Sequence, residues 1–380
     1  MKKNLWLATL VGVALTGCVN DENSPLEEQS KKVAFTSVQS TQSRANFTGE
    51  IAGAIYPEEE SFTVFSKSYK GTFKGWEYDD ENNNETYELL DFFNPAGEST
   101  TKKGEHWSTT LDHYWPSKGY ALAFAAYSPS ELEVSGVEVK YNSNGLQIND
   151  FEVSPTLDEQ YDLMYAPRIY DQTYQNHGSS PVSLTFKHAL TSIVFSITKG
   201  TTTNNKRYTV NNLWVTGDYI MQGDFAENLT EDLTNGYTQT LAPEWNFDGI
   251  TADACHFEPS GFSPVLVEEG QTKELTKGKS ALLLIPQDVP GNATLHLSFT
   301  VEELGTPDAE GNPTVLKTFT YEDYDIPLLS FVDGNQAQIT KWGMSYRYIY
   351  EVNFGGTKKI EFSPSVEQWI PGGTYSFTIQ

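Results

Sequence analysis

The stretch Tyr120-Ala121-Leu122-Ala123-Phe124-Ala125-Ala126-Tyr127 is apolar along its whole length and is followed by Ser128-Pro129. A strand with one wet face alternates between apolar and polar residues, whereas a strand buried on both faces reads as a continuous apolar run. The stretch therefore predicts a central strand of a β-sandwich, ended by the proline.

Further runs typical of strands lie on both sides of it. Apolar residues alternate in even register over 182–186 and in odd register over 193–197. Because successive side chains of a strand point to opposite faces, this slip of one position requires a bulge or kink, which we expect near residues 188–192. Other strand-like runs lie at 32–38, 61–65, 281–285, 295–301 and 346–354.

These runs predict an all-β protein. No part of the chain shows a long helical period, and the strand-like runs are short and separated by turn signals, a pattern typical of antiparallel β-sandwiches. A chain of 380 residues usually forms more than one domain. The polar segment 171–181 ends in Gly178-Ser179-Ser180-Pro181, so we predict one sandwich domain at 32–180 and a second at 181–380.

The charge balance is strongly acidic, with 51 acidic and 25 basic residues and a formal net charge of −26. A polyanion of this size repels the phosphates of nucleic acid and the head groups of anionic lipids. We therefore expect no nucleic-acid partner.

The N-terminus has the pattern of an export signal. Lys2 and Lys3 precede an apolar stretch at 5–15, and the run Leu15-Thr16-Gly17-Cys18 resembles a bacterial lipobox. This predicts a signal peptide at 1–17, acylation of Cys18 and an outer-membrane lipid as anchor, with a flexible polar tether at 18–31. The alternative is a plain secretory signal with an incidental cysteine. Since Cys255 is the other cysteine, we expect no intramolecular disulfide once Cys18 is acylated.

The C-terminus has the pattern of an amphipathic strand. Tyr375, Phe377 and Ile379 would share one face of a strand at 374–380, behind a hinge at Pro371-Gly372-Gly373. Such a strand can pair within its own chain or be donated to another chain, and both alternatives stay open.

Several segments, taken in order along the chain, resemble the fimbrillin family, the lipoprotein-precursor subunits of the type V pilus of Bacteroidota. The segments are Tyr114-Trp115-Pro116, 122–129, 162–166, 184–193, 283–287 and 360–369. Each segment is weak evidence alone, but the ordered set covers the chain from the lipobox to its end.

The resemblance implies two transthyretin-like antiparallel β-sandwich domains in tandem and a maturation route. An Arg-specific protease would cut after Arg44, before Ala45, and the strand that contains Val33 and Phe35 would be lost. The C-terminal strand of a neighbouring subunit would then fill the open groove. Lys31 and Lys32 lie close to the same stretch, so the bond that is cut stays open.

No pattern in the sequence predicts a catalytic, metal or cofactor site. The six histidines are scattered without metal-ligand spacing, and no nucleophile elbow or phosphate-binding loop is present. Cys255 and His256 are neighbours in sequence, but a catalytic pair must meet in space. The acidic run 79–85 lacks the glycine and terminal glutamate of an EF-hand.

We therefore predict a structural subunit of a cell-surface pilus, which assembles with other subunits by donor-strand exchange, serves adhesion and is not an enzyme. The alternative is a pilus-tip adhesin or a non-polymerising surface lipoprotein that binds a host glycan or protein. Five aromatic residues are candidates for a glycan-stacking face: Trp76, Tyr78, Trp107, Trp214 and Trp245.

Overall fold

The computed structural model describes residues 32–37, 56–57, 60–76, 89–133, 137–178, 180–200, 205–232, 238–332, 337–355 and 370–379, the last range as backbone. Within these ranges the chain is almost entirely β, which confirms the predicted fold class. The strands are β1 (Phe35–Ser37), β2 (Thr63–Lys70), β3 (Leu90–Asp91), β4 (Glu98–Lys103), β5 (His106–Thr109), β6 (Tyr120–Ser128), β7 (Glu138–Asn142), β8 (Gly145–Glu152), β9 (Met164–Gln172), β10 (Val182–Leu184), β11 (Lys187–His188), β12 (Thr191–Lys199), β13 (Lys206–Tyr219), β14 (Gln222–Ala226), β15 (Leu229–Asp232), β16 (Thr238–Leu241), β17 (Glu244–Asn246), β18 (Asp253–Phe257), β19 (Val265–Val267), β20 (Thr272–Glu274), β21 (Leu282–Leu284), β22 (Thr294–Pro307), β23 (Pro313–Pro327), β24 (Tyr346–Phe354) and β25 (Ile370–Ile379).

Helical structure in the described ranges is limited to short turns. A single α-helical turn, α1, spans Tyr174–His177, and its N-cap Thr173 accepts a hydrogen bond from the backbone N–H of Asn176. The 3₁₀ turns lie at Ser130–Glu133, Leu157–Glu159, Gly278–Ser280 and Leu328–Ser330.

The N-terminal half is built on one nine-stranded sheet. Its order is β10-β1-β5-β4-β2-β6-β9-β11, and β3 pairs with β2 outside this path. Strand β6 pairs with β2 on one side and β9 on the other, and every one of its residues after Tyr120 is buried. The apolar run at 120–127 is thus a central strand, as predicted.

Two five-stranded sheets form most of the C-terminal half, and its other strands lie in a four-stranded sheet, β17-β14-β8-β7, and a two-stranded sheet, β15-β16. The orders of the five-stranded sheets are β20-β12-β24-β25, with β21 paired to β12, and β18-β13-β22-β23, with β19 paired to β13. Inward side chains of both five-stranded sheets, such as Phe195, Tyr350, Leu213 and Leu297, share one apolar core. Among the described strands, three pairs, β1–β10, β12–β24 and β24–β25, run parallel. The expected antiparallel pattern does not hold for these three pairs.

The chain passes from one sheet system to the other through a kink at Ala189 and Leu190. Strand β11 pairs with β9 before it, and β12 pairs with β21 and β24 after it. The backbone N–H of Ala189 donates to the Leu163 carbonyl, and the Trp245 indole donates to the Ala189 carbonyl, both at 2.8 Å. The interruption lies where the change of register predicts it, and these hydrogen bonds satisfy the backbone at the kink.

Strand pairing crosses the predicted boundary between 180 and 181. Strand β10, from beyond it, pairs with β1, whereas β8, from before it, pairs with β14. Ile148 and Phe151 of β8 belong to the same apolar core as the C-terminal sheets. The division into two transthyretin-like domains stays a prediction, and the two halves share core residues.

The central strand yields a direct test of this packing. Phe124 is fully buried among aromatic rings, including Phe93 and Trp115. We expect Phe124→Ala to lower the free energy of unfolding by about 3–5 kcal/mol because it leaves a cavity in a close-packed core. Chemical denaturation followed by tryptophan fluorescence measures the change. The control Leu316→Ala alters a side chain that is 70% exposed, and a loss there above about 0.5 kcal/mol would contradict this account.

Candidate assembly groove

The first described strand lies between two others and not at a sheet edge. Strand β1 pairs in parallel with β10, Phe35 opposite Val182, and antiparallel with β5, Phe35 opposite Trp107. The backbone N–H of Val33 also donates to the His113 carbonyl at 2.8 Å. The short segment 32–37 therefore occupies a groove with hydrogen-bonding backbone on both walls.

The floor of this groove is aromatic. Phe35 is fully buried, and its ring lies edge-to-face against three others. The centroid distances are 5.2 Å to Phe124, 6.3 Å to Phe62 and 6.3 Å to Phe93. Val33, two positions earlier on the same face, is 2% exposed. Alternate apolar side chains thus fill alternate pockets, which is the geometry by which a groove accepts an extended strand.

Tyr56, the next described residue after the segment 32–37, is buried in the same core as Phe35. Its ring packs on Phe62, Trp107 and Phe186 at centroid distances of 5.5, 5.6 and 5.2 Å. Its hydroxyl donates to the Ser61 carbonyl at 2.8 Å. Burial raises the pKa of Tyr56 well above its usual value, so the ring stays neutral. Phe35 and Tyr56, which flank 38–55 in the sequence, therefore lie in the same aromatic core.

Removal of β1 would leave this core incomplete. Burial of Val33 and Phe35 contributes roughly 1.5–3 kcal/mol each, a large share of the ~5–15 kcal/mol that stabilises a typical domain. Strands β5 and β10 would also expose unpaired N–H and C=O groups. Loss of β1 would therefore destabilise the chain, and another extended strand in the groove would restore these contacts.

The structure describes the predicted displaced strand but not the predicted lipidation and cleavage residues. Val33 and Phe35, the predicted displaced strand, fill the groove. Cys18, Arg44 and Ala45 lie outside the described residues, so lipidation and cleavage stay predictions.

The predicted donor strand is strand β25, which pairs in parallel with β24 of its own chain. Tyr375, Phe377 and Ile379 stand in register with Tyr350, Val352 and Phe354. The strand begins at Ile370, earlier than predicted, and the expected hinge at 371–373 lies inside it. The register shifts between Arg347 and Tyr348 at that point, so the hinge residues form an irregularity in the ladder. Among the described strands, β25 lies at the edge of its sheet.

The candidate glycan-stacking aromatics do not form one surface. Trp107 is 2% exposed and packs in the groove core. Trp76 lies against the buried guanidinium of Arg168, 4.1 Å from the ring centroid to Cζ. Trp214 stands on a different sheet, β18-β13-β22-β23, and Tyr78 lies outside the described residues. These positions give a glycan-binding face no support.

Cys255 and His256 do not form a catalytic pair. The thiol of Cys255 donates to the Asp253 carbonyl, and His256 Nε2 lies 3.4 Å from Glu258 Oε2. Burial, with the nearby Asp253 carboxylate, raises the pKa of the Cys255 thiol. A raised pKa lowers the fraction of reactive thiolate, which is the opposite of what a nucleophile requires.

One cluster that sequence spacing did not predict lies on the C-terminal sheet β18-β13-β22-β23. His296 of β22 meets Asp323 and Asp325 of β23, and their side-chain ligand atoms all lie within 4.8 Å of one another. Since the pairing of β22 with β23 brings these residues together, no local motif reveals them. Within the described ranges, no helix has the length and apolar character needed to cross a membrane.

Comparison with known proteins identifies the family of this chain. A family model described as fimbrillin-like matches residues 59–369, most of the chain. The chain belongs to the fimbrillin-like family. The match begins just before β2 and ends just before β25, so the aromatic floor of the groove lies inside the family region. A search of curated proteins found no match.

Solved structures similar to this fimbrillin-like chain include three proteins from Bacteroides species. A fimbrial protein from Bacteroides vulgatus shares 14% identity, with 85% of this chain and 95% of that chain covered and a TM-score of 0.44. Candidate cell adhesion proteins from Bacteroides uniformis and Bacteroides ovatus share 16% and 13% identity, each with a TM-score of 0.40. The coverage is 89% of this chain and 99% of the first, and 90% of this chain and 98% of the second.

The groove makes a prediction about the uncut protein. We expect Phe35→Ala to lower the free energy of unfolding by about 3–5 kcal/mol, because the ring fills the centre of the aromatic cluster. Thr36→Ala is the matched control, since Thr36 is only half-buried on the other face of the same strand and its backbone pairing is retained. Denaturant titration of both variants measures the change. Equal losses in the two variants would show that β1 is held by its backbone alone.

Proposed function

We propose that this protein is a structural subunit of a cell-surface pilus, that it polymerises by donor-strand exchange and that it serves adhesion. In this proposal Cys18 is acylated and holds the precursor at the outer membrane. Membership of the fimbrillin-like family supports the pilus or adhesion role. The observation that supports the mechanism is the aromatic groove, which a short N-terminal strand fills by pairing on both edges.

The distribution of arginines supports a cut between β1 and the rest of the chain. Of the four arginines, Arg168, Arg207 and Arg347 lie within strands β9, β13 and β24. Arg168 and Arg347 are buried, and Arg207 Nε lies 2.5 Å from Glu302 Oε2 across the ladder. A protease binds an extended, unpaired segment, so cleavage at these three positions requires prior unfolding.

The fourth arginine, Arg44, lies between β1 and Tyr56. A cut there leaves β1 attached only by non-covalent contacts and removes the advantage in local concentration that the covalent connection supplies. An Arg-specific protease would thus convert β1 into a peptide that can dissociate. The groove would then be open to a strand of another subunit.

The C-terminal strand suits the vacant groove. Tyr375, Phe377 and Ile379 stand at alternate positions, as the buried Val33 and Phe35 do in the segment 32–37. The groove supplies backbone partners on both walls and pockets at alternate positions. Because donation runs from one subunit to the next and does not close, repeated donation produces a filament.

The cut is tested by treating the purified protein with an Arg-specific protease. We expect one cleavage and a new N-terminus at Ala45, followed by oligomers that survive gel filtration. Arg44→Ala should abolish both, whereas Arg207→Lys, a matched control inside β13, should behave as the wild type. Mass spectrometry and N-terminal sequencing give the readout. If cells that carry a folded Arg44→Ala variant still display filaments while the variant keeps its N-terminus at Cys18, the proposal is contradicted and a non-polymerising surface lipoprotein or a tip adhesin is favoured.

The donor strand is tested by a pair of neighbouring substitutions. We expect Phe377→Asp to reduce the polymer formed after cleavage by about 100-fold or more, because a carboxylate in an apolar pocket loses its hydration. Thr378→Asp carries the same charge on the opposite face of the strand and should have a much smaller effect. Electron microscopy and sedimentation of cleaved protein measure the polymer. Equal loss in the two variants would argue that charge opposes assembly and that β25 is not the donor.

A further inference from the structure

The outer face of the sheet β18-β13-β22-β23 carries a row of side chains from three adjacent strands. Trp214 of β13 stands opposite His296 of β22, and His296 stands opposite Asp325 of β23. Asp323 lies two positions before Asp325, next to a register shift in the ladder between Leu297 and Phe299. The two carboxylates therefore lie beside the same imidazole.

The imidazole is held in one orientation. Its Nε2 lies 2.8 Å from the hydroxyl oxygen of Thr216, and its ring lies parallel to the Trp214 indole, with 5.2 Å between centroids and 3° between planes. Its Nδ1 points at the carboxylates, 2.7 Å from Asp325 Oδ1 and 3.0 Å from Asp323 Oδ1. A metal-binding histidine is usually fixed in this way, by a hydrogen bond to its other nitrogen.

Two carboxylates compete for one N–H. The Nδ1 atom carries at most one proton, so it satisfies the two carboxylate oxygens only by sharing that proton. In the described part of the chain, no ion pair joins Asp323 or Asp325 to a lysine or arginine. The Asp323 and Asp325 side chains are 62% and 64% exposed, whereas that of His296 is 14% exposed. A cation from solvent has an open route to an oriented nitrogen and two anionic oxygens.

We propose that His296, Asp323 and Asp325 form a surface site for a divalent transition-metal cation, with Zn²⁺ as the cation tested. One imidazole nitrogen and two carboxylate oxygens are ligand types that Zn²⁺ accepts. At bond lengths of about 2.1 Å, tetrahedral ligands lie about 3.4 Å apart, so Asp325 Oδ1 and Asp323 Oδ1 would move away from Nδ1 by about 0.7 and 0.4 Å. Water or a ligand atom of another molecule would complete the coordination.

The neighbouring His256 supplies a matched comparison. It stacks against the same indole ring, with 6.3 Å between centroids, but meets only one carboxylate, that of Glu258. Its side chain is 56% exposed, so it lacks the fixed orientation of His296. Replacement of His256 therefore removes an imidazole from the same surface without altering the proposed ligand set.

Isothermal titration of metal-free protein with ZnCl₂ tests the site. We expect one site per chain and a loss of affinity of at least about tenfold in Asp323→Asn and in Asp325→Asn, each of which removes an anionic ligand. His296→Gln should abolish that site, and His256→Gln should leave it unchanged. The altered aspartates are exposed, and thermal unfolding without metal checks that each variant is folded.

A second measurement identifies the nitrogen ligand. We expect Co²⁺ to give a visible absorption band that Zn²⁺ displaces and that His296→Gln lacks. Equal affinity of wild type and His296→Gln for Zn²⁺, or equal displacement by Ca²⁺ and Zn²⁺, would overturn the proposal and indicate diffuse binding of cations by an acidic surface. These outcomes do not depend on cleavage or polymerisation, so failure here leaves the assembly mechanism untouched.

Discussion

The edge-to-face contact between Phe35 and Phe124 joins the first strand to the central strand of the N-terminal sheet. Strand β6 is buried on both faces and cannot supply its own cover, so the aromatic floor that it shares with Phe62 and Phe93 must be closed by side chains from elsewhere in the chain. Phe35, which lies in the described segment 32–37, covers this aromatic floor. The completeness of the core therefore depends on a short segment near one end of the chain, which is uncommon because chain termini usually contribute little to packing.

The rest of the molecule gives this groove a rigid frame. Strand β10 forms one wall, and a few residues later the chain kinks at Ala189 and Leu190 and continues as β12 in the C-terminal core. The backbone N–H of Ser345 donates to the Leu190 carbonyl at 2.8 Å. The amide of buried Gln160 also accepts from the Leu283 N–H at 2.8 Å, which connects the halves again. These hydrogen bonds tie the wall to the second core, and in the proposed exchange they would help the wall to keep its shape while one strand replaces another.

The pattern of residues within a short stretch predicts individual strands, but it does not predict which strands pair with each other. The apolar run of β6 and the change of register before β12 are visible because burial and face alternation act over a few residues. The parallel pairing of Phe35 with Val182 joins distant segments, so no short-range signal encodes it. The meeting of His296 with Asp323 and Asp325 depends on the register of β22 with β23 and on the irregularity beside it. Face alternation shows which side of each strand is buried, but a slip of two residues preserves it, so periodicity alone does not specify which residues of two strands stand opposite each other.

The proposed strand exchange would have a physical direction once the chain is cut. In its own chain β25 pairs on one edge, with β24, among the described strands. In the groove a strand lies between β5 and β10 and pairs on both edges. The intact chain would oppose this exchange for two reasons. Strand β1 is covalently attached, so its local concentration at the groove is high. A donor strand must instead arrive from solution against the repulsion between acidic subunits. Cleavage would remove the covalent attachment of β1 and leave the repulsion between subunits unchanged. Proteolysis would therefore act as the switch, and the longer strand with two backbone partners would supply the stabilisation that holds one subunit to the next.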